Sequence, residues 1–310
     1  MASRKSRLTD QPAEQRPLLA IALRLAAAVL LALMFAGVKW AGRHGVGVIE
    51  SLFYRQLGTA LCALGWVAVG PGFGSLRTQR VGAHVARMLI GLVAMGLNFL
   101  AFMLLPLAEA TTIGFSVPIF ATMLAALVLG EPTGKWRWGA VVIGFAGVLV
   151  IVQPGSSHIG LYGGAVAIAA ALTTACAIIA IRRLGATEAV GTTVFWFGAS
   201  SLVPLALAMP FLGQSHAPST FAVIAGFSLA GGLAQLALTG SLRFGPVALV
   251  MPMDYSSLLW ASLLGWLLFA QLPSHWTALG APIVIAAGLV ILWREQKLRK
   301  AAMAAPALGG

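Results

Sequence analysis

The chain has 310 residues, 59% of them hydrophobic and only 9% charged, with a formal net charge of +12. A soluble chain of this length needs far more charge to cover its surface, so no soluble domain of any size is expected. Apolar runs of roughly 18–25 residues recur along nearly the whole chain, each long enough to cross a bilayer core of about 30 Å. The expected fold class is an all-α polytopic membrane protein.

In chain order, residues 1–18 are polar ("MASRKSRLTDQPAEQRP" at the start) and read as a cytoplasmic tail. Ten spans follow, near 19–42, 47–70, 83–105, 107–130, 136–154, 159–182, 189–211, 219–242, 246–270 and 274–293. Short connectors rich in Gly, Pro, Ser or charge separate them, among them "PGFGSLRTQR", "QPGSSH" and "LGQSHAPS". A basic tail, 294–310, closes the chain. The first span lacks the small-residue cleavage site of a signal peptide and nine more spans follow it.

With the N-terminus placed in the cytoplasm, 16 of the 20 Lys and Arg residues fall in cytoplasmic segments or at cytoplasmic span ends. The exceptions are Lys39 and Arg43 near outer ends and Arg24 and Arg55 within spans. Such a bias is the positive-inside pattern, and it puts both termini in the cytoplasm. The positive charge is thus an orientation signal, and nucleic acid is not an expected partner. Cys62 and Cys176 lie inside apolar spans and read as packing residues. All five histidines sit in connectors or at span ends without ligand spacing, so neither a metal nor a cofactor is expected.

The two halves echo each other at an offset of 141 residues. "EPTGKWRWGAVVIGFAGVLVI" resembles "LPSHWTALGAPIVIAAGLVIL", matching Pro132 with Pro273, Gly139 with Gly280, and Gly147 with Gly288. Five spans per half is an odd number, so the second repeat, 159–293, enters the membrane inverted relative to the first, 19–154. Inverted repeats favour alternating access around a site near mid-membrane. The glycine pairs are eight residues apart and share a helix face. That face serves close packing within the monomer, with a homodimer contact as the alternative.

Polar groups inside the spans mark the candidate site. Asp254 and Arg55 each lie about 12 Å deep from opposite faces. A charge there costs roughly 2.5–3.5 kcal/mol against lipid, so both should face the interior. Asp254 is expected to line a solute cavity with Arg55 as its partner; a fixed ion pair locking the repeats is the competing reading. In span four, Glu109, Thr112 and Ser116 fall at i, i+3, i+7 and form one polar stripe. Pro118 cannot donate to the carbonyl of Gly114, which frees an acceptor. Pro252 similarly precedes Asp254, so both fourth spans carry an acid and a proline. Asn98 and Gln235 lie near mid-depth in equivalent helices, and Tyr255 offers a stacking surface. Lys39 and Glu50 flank the outer connector of spans one and two as a surface pair or gate.

With "LPLAEATTIGFSVPIFATMLAALVLGE", "WRWGAVVIGFAGVLVI" and "GPVALVMPMDYSSLLWASLLGWLLF", the chain resembles the drug/metabolite transporter superfamily, EamA-type ten-helix branch. The likeness spans about residues 20–295. The Asp-Tyr element of span nine is similar to that of bacterial S-adenosylmethionine uptake carriers, although "FAQLP" puts Gln271 where an acid is usual. Glu131 keeps that acid in the first repeat. The resemblance implies a central cavity and a secondary transporter of the inner membrane. Its candidate solute contacts are Asn98, Glu109, Thr112, Ser116, Gln235 and Asp254, and its solute a small polar or zwitterionic metabolite. Proton coupling would run through Asp254 or Glu109. An enzymatic role, such as lipid modification, would need a base beside Ser256 and Ser257, and no intramembrane histidine supplies one. A non-transporting scaffold is the remaining alternative.

Overall fold

A computed structural model describes residues 16–304 apart from 71, 79, 129–134, 154–159, 186–189 and 245–249. Every regular element among the described residues is helical. In order they are α1 (Pro17–Arg43), α2 (Val48–Val69), a 3-10 turn (Phe73–Leu76), α3 (Val81–Leu104), α4 (Leu107–Gly114) and α5 (Val117–Val128). Then follow α6 (Lys135–Val152), α7 (Leu161–Gly185), α8 (Val190–Leu212), α9 (Pro218–Phe244), a second 3-10 turn (Met251–Ser256), α10 (Ser257–Phe269) and α11 (His275–Ala304).

Among the described residues, eight helical stretches are long and apolar enough to cross a membrane. The other two expected spans are helical but shorter as described. One is α6, whose apolar part runs Trp138–Val152, and the other is the second 3-10 turn joined to α10. The chain is an all-α polytopic membrane protein. Its outer surface agrees: large apolar side chains such as Leu61, Trp66, Leu207 and Phe211 are exposed, as lipid requires and water would not.

Small residues set the packing, because helices in lipid gain most from close backbone approach. The buried residues of α1 are mostly alanine (Ala20, Ala27, Ala28, Ala32, Ala36), and the helix packs most extensively on α9. α3 packs on α7, α6 on α11, and α2 on both α8 and α9. A Cβ added at Gly58 of α2 would come within 2.5 Å of the Ser228 carbonyl oxygen of α9. Gly232 on α9 faces Cys62 and the Gly58 carbonyl in return. The repeat-matched glycines sit mainly in internal seams: Gly280 meets Ile151 and the Gly147 carbonyl, and Gly288 meets the Tyr255 hydroxyl. Gly139 has nothing within 4 Å.

Prolines place several ends and breaks. Pro106 forces the extended backbone of Leu105, which ends α3. The fourth span, expected as one helix over 107–130, breaks at Phe115–Ser116 between α4 and α5, three residues before Pro118. The ninth begins as a 3-10 turn that carries Pro252 at its start. Pro204, Pro210 and Pro282 lie inside helices, where neighbouring groups in a bundle can take up the freed carbonyls.

Candidate functional site

Between the first half (α1, α3, α4, α5) and the second (α7, α9, the second 3-10 turn, α10, α11) lies a cavity of about 480 Å³. Its walls are chiefly apolar, and its polar groups are few and separated. At one end Arg24, on the eighth position of α1, meets Asp254 on the 3-10 turn. The guanidinium Nε donates to Oδ1 at 2.5 Å and Nη2 to Oδ2, a bidentate fork. The Arg24 side chain is only 7% exposed and that of Asp254 is 40% exposed, so the carboxylate is the member that faces the open space. The expected partner, Arg55, is elsewhere: it is buried on α2 and gives Nη1 to the Gln56 side-chain oxygen. Arg24 replaces it because α1, not α2, lies against the 3-10 turn and α10.

Midway along the wall, Asn98 on α3 donates from Nδ2 to the Ala94 carbonyl at 2.8 Å and to the Thr174 hydroxyl of α7 at 3.0 Å. The remaining lining is aromatic. Phe35 and Phe102 stack at 3.9 Å between centroids, and Phe115 meets Tyr255 edge-on at 4.9 Å. The Tyr255 hydroxyl sits over Gly288, where a side chain would collide with it.

The stripe Glu109, Thr112 and Ser116 is one-sided as its spacing predicts, but it is buried away from the cavity. Thr112 and Ser116 donate to their own helix, at the Ala108 carbonyl (2.7 Å) and the Ile113 carbonyl (2.6 Å). Glu109 Oε1 accepts from the Ser274 backbone N–H at 3.1 Å and from the Thr277 hydroxyl at 3.3 Å, tying α4 to the start of α11. The opposite face of α4, through Leu107, Thr111 and Gly114, lines the cavity together with Pro118. Gln235 lies on α9 one turn before Leu238; Leu238 lines the cavity and Gln235 does not. Asn98, Asp254 and Tyr255 are therefore brought together, and Glu109, Thr112, Ser116, Gln235 and Arg55 are not. Sequence reading missed Arg24, Thr111, Thr174 and Ser257 as lining groups. For Arg24 a signal existed, a lone cation within an apolar span.

Lys39 and Glu50 are not a surface pair: both are buried and each has its own partners. Lys39 donates to the Phe102 carbonyl at 3.2 Å and to the Leu105 carbonyl. Pro106 has no N–H to give the Phe102 carbonyl, so the lysine fills that vacancy. Arg43 lies over the Phe269 ring, 4.6 Å from its centroid. Phe102, whose carbonyl Lys39 bonds, also lines the cavity, so Lys39 lies behind its wall, fifteen residues along α1 from Arg24. Glu50 instead faces His216 Nε2 at 3.0 Å. Glu131 lies outside the described residues.

Comparison with known proteins fits this geometry. Residues 18–153 match the model of the EamA-like transporter family. A riboflavin transporter from Rhizobium johnstonii is 30% identical over 234 residues, covering 73% of this chain and 75% of its own. The chain belongs to the EamA-like transporter family. Among other relatives of this EamA-like chain, an S-adenosylmethionine uptake transporter from Rickettsia prowazekii is 27% identical, with 80% and 84% of the two chains covered. A protein of known crystal structure superposes with a TM-score of 0.60 at 19% identity, covering 89% of this chain and 98% of its own, and so shares the fold.

Proposed function

We propose that this chain is a secondary carrier that moves a small polar or zwitterionic metabolite across the inner membrane by alternating access. The observation that carries the reading is the cavity between the halves. It is apolar and aromatic along its length and holds one exposed carboxylate clamped by a buried guanidinium. Binding sites for small organic solutes have this character and a volume of roughly 300–1,000 Å³. The solute that suits it has a flat heteroaromatic ring, to lie among Phe35, Phe102, Phe115 and Tyr255, and a polar group that carries positive charge to meet Asp254. Riboflavin and S-adenosylmethionine, named for two relatives, both have such a ring, and the second also has the charge.

The helix pairing supports two inverted repeats. The contact of α3 with α7 and that of α1 with α9 are exchanged when the halves are swapped, and the α6–α11 contact maps onto itself. Breaks at Phe115–Ser116 and at the 3-10 turn ending at Ser256 fall 141 residues apart, the offset of the sequence repeat. Discontinuous helices at equivalent places are where such carriers bind solute and flex. With both termini in the cytoplasm, the Arg24 end of the cavity is cytoplasmic and the Lys39 end is closed to the outside. Asp254 is the coupling group, exchanging Arg24 for a proton or solute cation as the halves rock.

Counterflow in proteoliposomes tests this reading. Vesicles loaded with S-adenosylmethionine or riboflavin should accumulate the matching labelled compound, and an acidic exterior should speed net uptake in the parent protein but not in Asp254→Asn. Exchange that favours purely aliphatic solutes over ring-bearing ones would remove the proposed solute class. Uptake indifferent to pH in both proteins would remove proton coupling.

A further inference from the structure

A second set of charges, one buried and one half-buried, lies outside the cavity and has no counter-ion among the described residues. Arg55 on α2 is 3% exposed and its Nε has no hydrogen-bond partner. On α3, Arg87 has neither Nε nor Nη1 partnered; its guanidinium lies over the Phe197 ring of α8, 4.0 Å from the centroid. Gly198, the residue after that ring, packs against Ala60 of α2, five residues beyond Arg55. Gln56 Nε2 and Ser51 Oγ, the latter one turn before Arg55 on the same face of α2, are also buried and unpartnered.

Each guanidinium lies against a glycine, and that of Arg87 depends on the missing side chain. A Cβ at Gly91 would strike Arg87 Nη1, and a Cβ at Gly231 on α9 would fall 3.5 Å from Arg55 Nε. The arginines are thus housed inside the bundle rather than directed to a membrane surface. Guanidinium stays protonated under all physiological conditions, so loss of a proton does not relieve the two charges. The described carboxylates are committed elsewhere: Glu50 to His216, Glu109 to Ser274 and Thr277, and Asp254 to Arg24. Buried charges are tolerated when paired. The unpartnered atoms are four N–H donors and one hydroxyl, a set that an acceptor with no protons of its own completes.

We propose that Arg55 and Arg87, with Ser51 and Gln56, hold a small monovalent inorganic anion of the chloride class between α2, α3, α8 and α9. The anion neutralises the two arginines and braces α2 against its neighbours, apart from the solute cavity. Close packing of Arg87 and Phe197 at Gly91 restricts the occupant to a small ion.

The test is thermal unfolding of the full chain in phosphatidylcholine nanodiscs, followed by tryptophan fluorescence. Sodium gluconate is replaced by sodium chloride at constant ionic strength, so that general screening is unchanged. The midpoint should rise by several degrees and saturate, bromide should substitute for chloride, and Arg87→Gln should flatten the response. Asp254→Asn, altered in the other site, should keep it, which separates this inference from the transport reading. Equal midpoints in gluconate and chloride would overturn the proposal, as would an undiminished chloride response in Arg87→Gln. So would phosphatidylglycerol raising the midpoint in gluconate and abolishing the chloride response, since the occupant would then be a lipid phosphate. If Arg87→Gln does not fold, crystals of the parent protein grown in bromide decide: an anomalous peak within hydrogen-bond reach of Arg55 Nε or Arg87 Nη1 is expected, and its absence refutes the site.

Discussion

The fourth span of the first half and the ninth span of the chain carry the same ingredients and use them differently. Each has a carboxylate, a proline and a break in regular α-helix. In the first, Glu109 is buried and fastens α4 to the start of α11. In the second, Asp254 faces the cavity and is clamped by Arg24. The helical period accounts for the divergence. An α-helix turns about 100° per residue and a 3-10 helix about 120°, so Asp254, three residues before regular α-helix resumes at Ser257, is rotated by roughly 60° from its place on a continuous α-helix. At the 141-residue offset Asp254 corresponds to Ile113, which is buried on the Glu109 side of α4. The altered winding shifts the acid of the second half off the face that Glu109 and Ile113 share, and Asp254 lines the cavity. Two similar stretches thus set one intramembrane acid against a neighbouring helix and the other against the cavity.

Substitutions at the two acids should separate these roles. Asp254→Ala is expected to have the largest effect. Loss of a buried partner costs about 3–5 kcal/mol, but the exposed carboxylate here implies that cavity water screens Arg24, so about 1–3 kcal/mol of stability should go. Solute flux should fall at least roughly tenfold. Arg24→Gln should behave alike, and the double variant should lose less than the sum of the two, as read by unfolding and uptake side by side.

Glu109→Ala comes next. It leaves the Ser274 N–H and the Thr277 hydroxyl without their acceptor, an expected loss of about 1–3 kcal/mol in unfolding experiments. Solute affinity of the folded fraction should change by less than about twofold, within a few tenths of a kcal/mol. Glu109→Gln keeps an acceptor oxygen and should recover most of the stability. A loss of affinity equal to that of Asp254→Ala would erase the distinction between the two spans.

The smallest effect contrasts adjacent threonines. Thr111 lines the cavity, whereas the Thr112 hydroxyl bonds the Ala108 carbonyl. Thr111→Val should weaken solute binding by about 2–5-fold, the worth of roughly 0.5–1 kcal/mol, and Thr112→Val should leave it unchanged. Titration calorimetry on the two variants resolves the difference. The reverse result would mean that α4 presents its other face to the solute.

Much of the architecture was legible because lipid imposes long apolar helices, and residues such as Asn98 and Asp254 stand out against them. The partner of Asp254 was not legible. Arg24 and Arg55 are both lone cations inside spans, and only the packing of α1 against the 3-10 turn selects between them. The face of α4 was misjudged for a related reason. Spacing shows that Glu109, Thr112 and Ser116 share a side, but not whether that side meets a cavity or another helix. Lys39 was hidden because its partners are backbone carbonyls, one of them released by Pro106, and carbonyls carry no sequence signal of their own. The glycine at 91 likewise acquires meaning only when Arg87 is seen resting on it.

The most direct test is solute binding to two charge-neutral variants, Asp254→Asn and Glu109→Gln, measured by thermal shift in the same nanodiscs with a solute that stabilises the parent protein. Here the aspartate variant should lose at least roughly tenfold in affinity, about 1.4 kcal/mol, while the glutamate variant binds as the parent does. Full binding by Asp254→Asn, with the loss falling on Glu109→Gln instead, would contradict the account.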